Sequence, residues 1–214
     1  MAAIRQLAYG TTPDSLDEYL RTSERTAREC VYKFCEWVVK LYNKKYLRKP
    51  NTNDVQKLYQ AHKERHGFSR MLESIDCMHL PWQNCPTAWQ GQFTRGDHGH
   101  PTIILEAIVS QDLWIWHVFF GVPGSLNDLN VIYQSKFFND VITGTGPDTS
   151  FTVSGVEYRC GYYLAGEIYQ TYYTIVKTIP HPTYDKRKKF AKFQEAARKD
   201  IEQCFAVLQK MAYP

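Results

Sequence analysis

Two periodicities divide the chain. Up to residue 67 the apolar positions recur every three or four residues, as on one face of a helix, and from Phe68 they crowd together or alternate as in strands. Residues 14–20 read as a short helix. Thr22-Ser23-Glu24-Arg25 then offers an N-cap for a longer helix over 26–42, with Val31, Phe34, Val38 and Leu41 on one side. A third amphipathic helix is predicted over 54–65, after the basic connector Lys44-Lys45 and Arg48-Lys49-Pro50. Strands follow at 70–78, 102–110 and 113–120. The last places Trp114 and Trp116 on one face and Ile115 and His117 on the other. Pro123-Gly124-Ser125 marks a turn before a short helix from Asn127-Asp128 to Ile132. Ser154-Gly155 marks a hairpin between 151–153 and 156–158. Residues 162–165 form a short apolar run suited to a buried strand. Residues 194–211 form a closing helix with Ile201, Phe205 and Leu208 on one side. Strands followed by a helix, a buried strand and a closing helix predict an α/β or α+β sheet with helices packed against it.

Two early helices joined by a tight polar turn suit a helix-turn-helix, although spacing alone favours a plain helical hairpin. The chain has 214 residues and is rich in aromatics, with 15 Tyr, 11 Phe and 5 Trp, which suits packed cores rather than disorder. The net charge of +4 permits nucleic-acid contact without arguing for it. No run reaches the length of a membrane span, and the first residues lack a secretory apolar segment. The six cysteines show no zinc-like pairing, which suits reduced thiols of the cytosol or nucleus. Cys77, His79 and Cys85 lack a fourth ligand and read as packed thiols and a surface histidine.

The candidate chemistry lies in the acids. Asp76 interrupts the apolar strand Glu73-Ser74-Ile75-Asp76-Cys77-Met78-His79, and a half-buried charge needs a partner or a metal. Two-metal phosphodiester cleavage requires carboxylates from separate elements converging on one cavity. Asp128, at a loop-to-helix junction, and Glu202, on the closing helix, are the candidate partners. A helix N-terminal acid and a solvated helix face explain these two residues as readily.

Three strings carry a resemblance: SIDCMHLPWQNCPTAWQGQF, PTIILEAIVSQDLWIWHVFFGVPGSLNDLNVI and FAKFQEAARKDIEQCFAVLQ. They resemble the plant PIF/Harbinger transposases of the Pong type, DDE-superfamily endonucleases, over nearly the whole chain. The resemblance implies an RNase H-like mixed sheet flanked by helices, preceded by a small helix-turn-helix-like region. It divides the chain into a truncated helical region, 1–67, and a nuclease domain, 68–214, that ends early. It implies Mg²⁺ or Mn²⁺ held by Asp76, Asp128 and Glu202, phosphodiester cleavage of DNA in the nucleus or secondarily the cytoplasm, no membrane association, and a Myb-like DNA-binding partner.

One departure matters. The family's strand-end motif LADGIYP reads Leu164-Ala165-Gly166-Glu167-Ile168-Tyr169-Gln170, so Gly166 stands where the second carboxylate of the triad belongs. Glu167 is one residue on, and strand alternation turns it away from Asp76 unless the backbone bends. Two expectations follow: a metal-dependent nuclease-like protein with a weakened site, or a non-catalytic, domesticated DNA- or chromatin-associated protein that keeps the fold. Arg198, four residues before Glu202, shares its helix face and is a candidate phosphate contact. Lys186-Arg187-Lys188-Lys189 is a second DNA-contact candidate or a nuclear-localisation signal, and a solvated helix start explains it equally well.

Overall fold

The structure, a computed structural model, describes all residues except 138–149, 154, 168, 170, 171, 173, 213 and 214. Contacts divide the chain into two compact units, Met1–Arg48 and Lys49–Pro214.

The first unit contains α1 (Ala2–Tyr9), a 3₁₀ turn at Asp14–Leu16, α2 (Asp17–Leu20) and α3 (Glu24–Tyr46). Ser23 caps α3 by accepting from the Thr26 N–H. Ala2, Leu16 and Ala27 form the small core, with Leu20 against it. The sequence pattern did not announce α1.

The second unit begins with α4 (Thr52–His66), closed at its start by a reciprocal capping box between Asn51 and Asp54. Its strands are β1 (Met71–Pro81), β2 (Thr102–Val109), β3 (Ile115–Pro123), β4 (Phe151–Val153), β5 (Val156–Tyr158), β6 (Tyr162–Ala165) and β7 (Ile175–Lys177). Helices α5 (Thr87–Phe93), α6 (Asp128–Gln134) and α7 (Asp185–Ala212) complete it. The described strands form a five-stranded sheet in the order β3-β2-β1-β6-β7, beside the separate hairpin β4-β5. Strands β1, β2 and β3 run antiparallel to one another in turn, while β6 is parallel to β1 and β7 to β6. This mixed sheet, flanked by helices, makes an α/β fold compatible with the RNase H-like class.

The central strand β1 is covered on both faces, which explains its nearly continuous burial. On one face Ile75 and Ile108 pack with Ile132 of α6 and with Ala165, Tyr169 and Ile175. On the other, Met78, Leu105, Ala107 and Val109 pack against Ile201, Cys204 and Phe205 of α7. Each large apolar side chain so buried contributes roughly 1.5–3 kcal/mol. Helix α4 packs through Val55 and Tyr59 onto Leu72 of β1, so it belongs to the sheet unit, whereas its helical texture had grouped it with residues 1–67. Asp200 of α7 ties the helices together, pairing with Arg65 Nη2 at 3.2 Å and His66 Nε2 at 2.8 Å.

Two glutamates lie inside the sheet. Burial raises Glu73 to about 8, with the charge of Asp112 adding to the effect. Burial also raises Glu106 to about 7, although Ser135 Oγ donates to its Oε1 at 3.0 Å. Between the ordinary carboxyl value and these raised values the folded chain holds protons that the unfolded chain has released, so stability falls as pH rises. His62, lowered to about 4 by burial and by His66, acts in the opposite sense below its ordinary 6.5. The carboxyl effect is therefore isolated above that pH. Urea unfolding should show stability falling by about 2–3 kcal/mol between about pH 6.5 and 8.5, with Glu73→Gln removing most of that fall. Parallel pH profiles for the two proteins would show that Glu73 is ionised throughout.

Gly124 sits where backbone segments cross. A Cβ there would meet Thr102 Oγ1, the Thr102 carbonyl oxygen at 2.5 Å and the Phe93 carbonyl oxygen at 2.8 Å. Gly124→Ala should therefore cost about 2–4 kcal/mol in chemical denaturation and disturb the turn that leads into α6.

Candidate functional site

Asp76 faces α7 from the middle of β1, with Ala107 as its cross-strand partner. Arg198 Nη2 donates to its Oδ2 at 2.8 Å, and the Cys77 backbone N–H donates to Oδ1 at 3.0 Å. The side chains of Arg198 and Asp76 are only 15% and 20% exposed, so this ion pair is largely withdrawn from water. Burial raises the Asp76 carboxyl above its ordinary value, and the charge and hydrogen bond of Arg198 oppose that rise.

Asp128 arrives on a different element, α6. Asn127 caps this helix by accepting from the Asn130 N–H at 2.9 Å, and Val131 and Ile132 anchor it in the core. Asp128 is thereby fixed at the first helical position. Its carboxyl is raised by burial first and then by the charge of Asp76, while Arg95 acts against both. Two half-buried carboxylates that sense one another form the nucleus of the site.

Strand β6 lies directly beside β1, in register at Ser74 and Leu164. The residue that follows it, Gly166, is buried and faces the same arginine. A Cβ built on Gly166 would lie 3.4 Å from Arg198 Nη2, 3.6 Å from Cζ and 3.7 Å from Nη1, ordinary contact distances. A side chain at 166 would thus point at the guanidinium that Asp76 holds. Arg198 Nε is buried and has no hydrogen-bond partner among the described residues. Glu167, the next residue, is exposed.

Glu202 follows Arg198 by one turn on α7 and is exposed, and it makes no hydrogen bond or ion pair among the described residues. Among the described residues no three His, Cys, Asp or Glu side chains lie close enough together to hold a metal ion. Among the described residues the charged groups that meet here are the carboxylates of Asp76 and Asp128 and the guanidinium of Arg198, with Arg95 acting on Asp128. That set falls short of what a pair of divalent ions needs.

Sequence reasoning treated Arg198 as a phosphate contact. Its bond to Asp76 spans 122 residues, and nothing local in the sequence signals it. Two neighbours of the site also went unnoticed. Tyr169 is buried and donates its hydroxyl to Cys77 Sγ at 3.5 Å, close enough for the charges of Asp76 and Asp128 to raise its phenol further. Arg95 comes from the loop after α5, where its Nε contacts Asp97 at 3.1 Å. Its charge was legible, but its approach to Asp128 was not. His79 contacts Thr102 Oγ1 at 2.9 Å through Nδ1 and packs its ring against His98. The basic run 186–189 lies within the first turns of α7, exposed along its length, with Arg187 over the Tyr184 ring and Lys189 over that of Phe193.

A family model described as plant transposon protein matches residues 44–212, which takes in α4 through α7 and the whole sheet. No curated protein and no solved structure matches the chain. The match covers most of the sequence and every element that builds the Asp76 site, and so this chain belongs to the plant transposon protein family.

Proposed function

We propose that this chain is a derived copy of a PIF/Harbinger-type DDE transposase that retains a DNA-associating scaffold and has an arginine in place of metal at its carboxylate site. One observation carries this reading: Gly166, at the position of an expected acid, opens onto the guanidinium that neutralises Asp76. With no carboxylate at 166, Asp76 balances the charge of Arg198 at short range without a divalent ion, although Arg198 Nε is left without a partner among the described residues. The exposed basic start of α7 supplies contacts for phosphate, and its lysine-rich run suits nuclear import. A Myb-like protein that brings DNA sequence specificity belongs to the same proposal.

A second reading has one observation in its favour. Asp76 and Asp128 lie near enough for one charge to raise the carboxyl of the other. In that reading Asp76, Asp128 and Glu202 would hold Mg²⁺ or Mn²⁺ if Arg198 turned away, and the bound ions would supply Lewis-acid chemistry for phosphodiester cleavage. The role of the chain is then to fix the carboxylates and to exclude water through Tyr169 and Cys77.

Mn²⁺ binding followed by calorimetry and by melting temperature separates the two. On the first reading the wild type shows weak, unsaturated binding. Arg198→Gln frees Asp76 and should tighten Mn²⁺ by roughly tenfold or more. Gly166→Asp should raise the melting temperature without metal, because the new carboxylate pairs with Arg198, and should leave Mn²⁺ affinity low. The double variant should bind most tightly. Tight, saturable binding by the wild type that Asp76→Ala abolishes would establish the second reading instead.

DNA association has its own check. Replacing Lys186, Arg187, Lys188 and Lys189 by glutamine should weaken binding to a duplex of any sequence. The slope of log affinity against log salt should shrink by about 0.9 for each phosphate that the variant no longer neutralises. An unchanged slope would remove this run from the interface.

A further inference from the structure

A second basic surface lies on α4, away from the residues assigned to the carboxylate site. Asn53, Gln56, Lys57, Gln60 and Lys63 recur at three- and four-residue spacing and form one polar stripe along the helix. With Tyr59, Ser69 and Arg70 they line an open groove of about 510 Å³. Its lining holds three cations, three side-chain amides and two hydroxyls, and no carboxylate. Glu64, the acid beside Lys63, is outside the lining and accepts from Gln60 Nε2 at 2.9 Å.

Arg70 is the fixed point of this groove. Its backbone takes φ 63°, the left-handed region that side-chain-bearing residues avoid. The conformation is held from outside. The Arg70 carbonyl oxygen accepts from the Tyr162 N–H at 3.2 Å, and Gly161 passes so close that a Cβ there would meet the Tyr59 hydroxyl and, at 2.8 Å, the Arg70 carbonyl oxygen. The guanidinium lies near two rings, with Cζ 5.1 Å from the Tyr59 centroid and 5.7 Å from that of Phe151. Among the described residues Lys57, Lys63 and Arg70 make no ion pair. A guanidinium positioned by two rings and left without an anion is organised in advance for an anionic ligand.

We propose that this groove binds the phosphate backbone of a nucleic-acid strand. Asn53 to Lys63 covers about 15 Å of helix, long enough to face two or three successive phosphates. Amide and hydroxyl donors between the cations suit phosphate oxygens. The contact is sequence-independent and adds a second basic track to the one at the start of α7. This inference rests on the reading that the chain associates with DNA.

The test measures anisotropy of a labelled duplex of arbitrary sequence against whole wild-type protein over a series of salt concentrations. It compares Lys57→Gln/Lys63→Gln/Arg70→Gln with the quadruple glutamine variant at 186–189. The triple variant should lose about tenfold or more in affinity, with its salt slope reduced by about 2–3, equally for unrelated sequences. Lys57→Glu/Lys63→Glu, which leaves Arg70 and its two rings intact, should produce the same loss with an unchanged melting temperature. Wild-type affinity and slope in both α4 variants, with loss only in the 186–189 variant, would overturn the groove and leave DNA association standing. No binding by the wild type would overturn both. Stabilisation of the wild type by inorganic phosphate, abolished in the triple variant while duplex binding persists unchanged, would reassign the groove to a small anion and overturn the strand proposal.

Discussion

A carboxylate in the middle of a covered sheet sets the terms for this molecule. Asp76 lies on the strand that both layers pack against, where an unpaired charge would cost several kcal/mol. It remains ionisable because Arg198 reaches across from α7 at 2.8 Å and the Cys77 N–H closes the other oxygen. That requirement fixes the rotation of α7 over the sheet. The same rotation buries Ile201, Cys204 and Phe205 against β2 and brings Asp200 to Arg65 and His66 of α4. Stability and the geometry of the site are thus served by one orientation of one helix.

The other buried acids show how differently the same problem is solved nearby. Glu73 and Glu106 stay protonated well above the ordinary carboxyl range, Glu106 with a serine hydroxyl on one oxygen. Asp200 sits between an arginine and a histidine. Asp76 stands between these solutions, half-buried, with one cation and the charge of Asp128 close by. Gly166 places no side chain against the arginine, and Asp76 and Arg198 close on each other.

Much of the sheet was visible in the sequence because β1, β2 and β3 each announce themselves by apolar runs between turns. The Gly155 turn identified the β4-β5 hairpin, and Gly155 does adopt the left-handed conformation, at φ 83°. Short helices and one charged helix start escaped notice. The chain over 185–193 is rich in charge, so the closing helix was expected to begin at 194, yet α7 starts at Asp185 because lysine and arginine are good helix formers on a solvated face. Helix α5 is short and carries Trp89 and Phe93 into an aromatic cluster with Trp82, a cooperation between neighbours that periodicity does not encode.

The sequence alone determined which residues are chemically conspicuous: an acid in an apolar strand, a second acid after a glycine turn, a glycine where the related motif carries a carboxylate, and an R-x-x-x-E helix. Residue type and local spacing suffice to read the two acids, whereas the glycine and the R-x-x-x-E helix stand out only against the resemblance. Tertiary structure decided which of them meet. It brought Asp128 within range of Asp76, left Glu202 and Glu167 exposed, and aimed Arg198 at both Asp76 and the bare backbone of Gly166. The reason is physical. The cost of burying a charge depends on what lies within a few ångströms, and for Asp76 the decisive neighbour, Arg198, is brought from 122 residues away by the packing of a helix on a sheet.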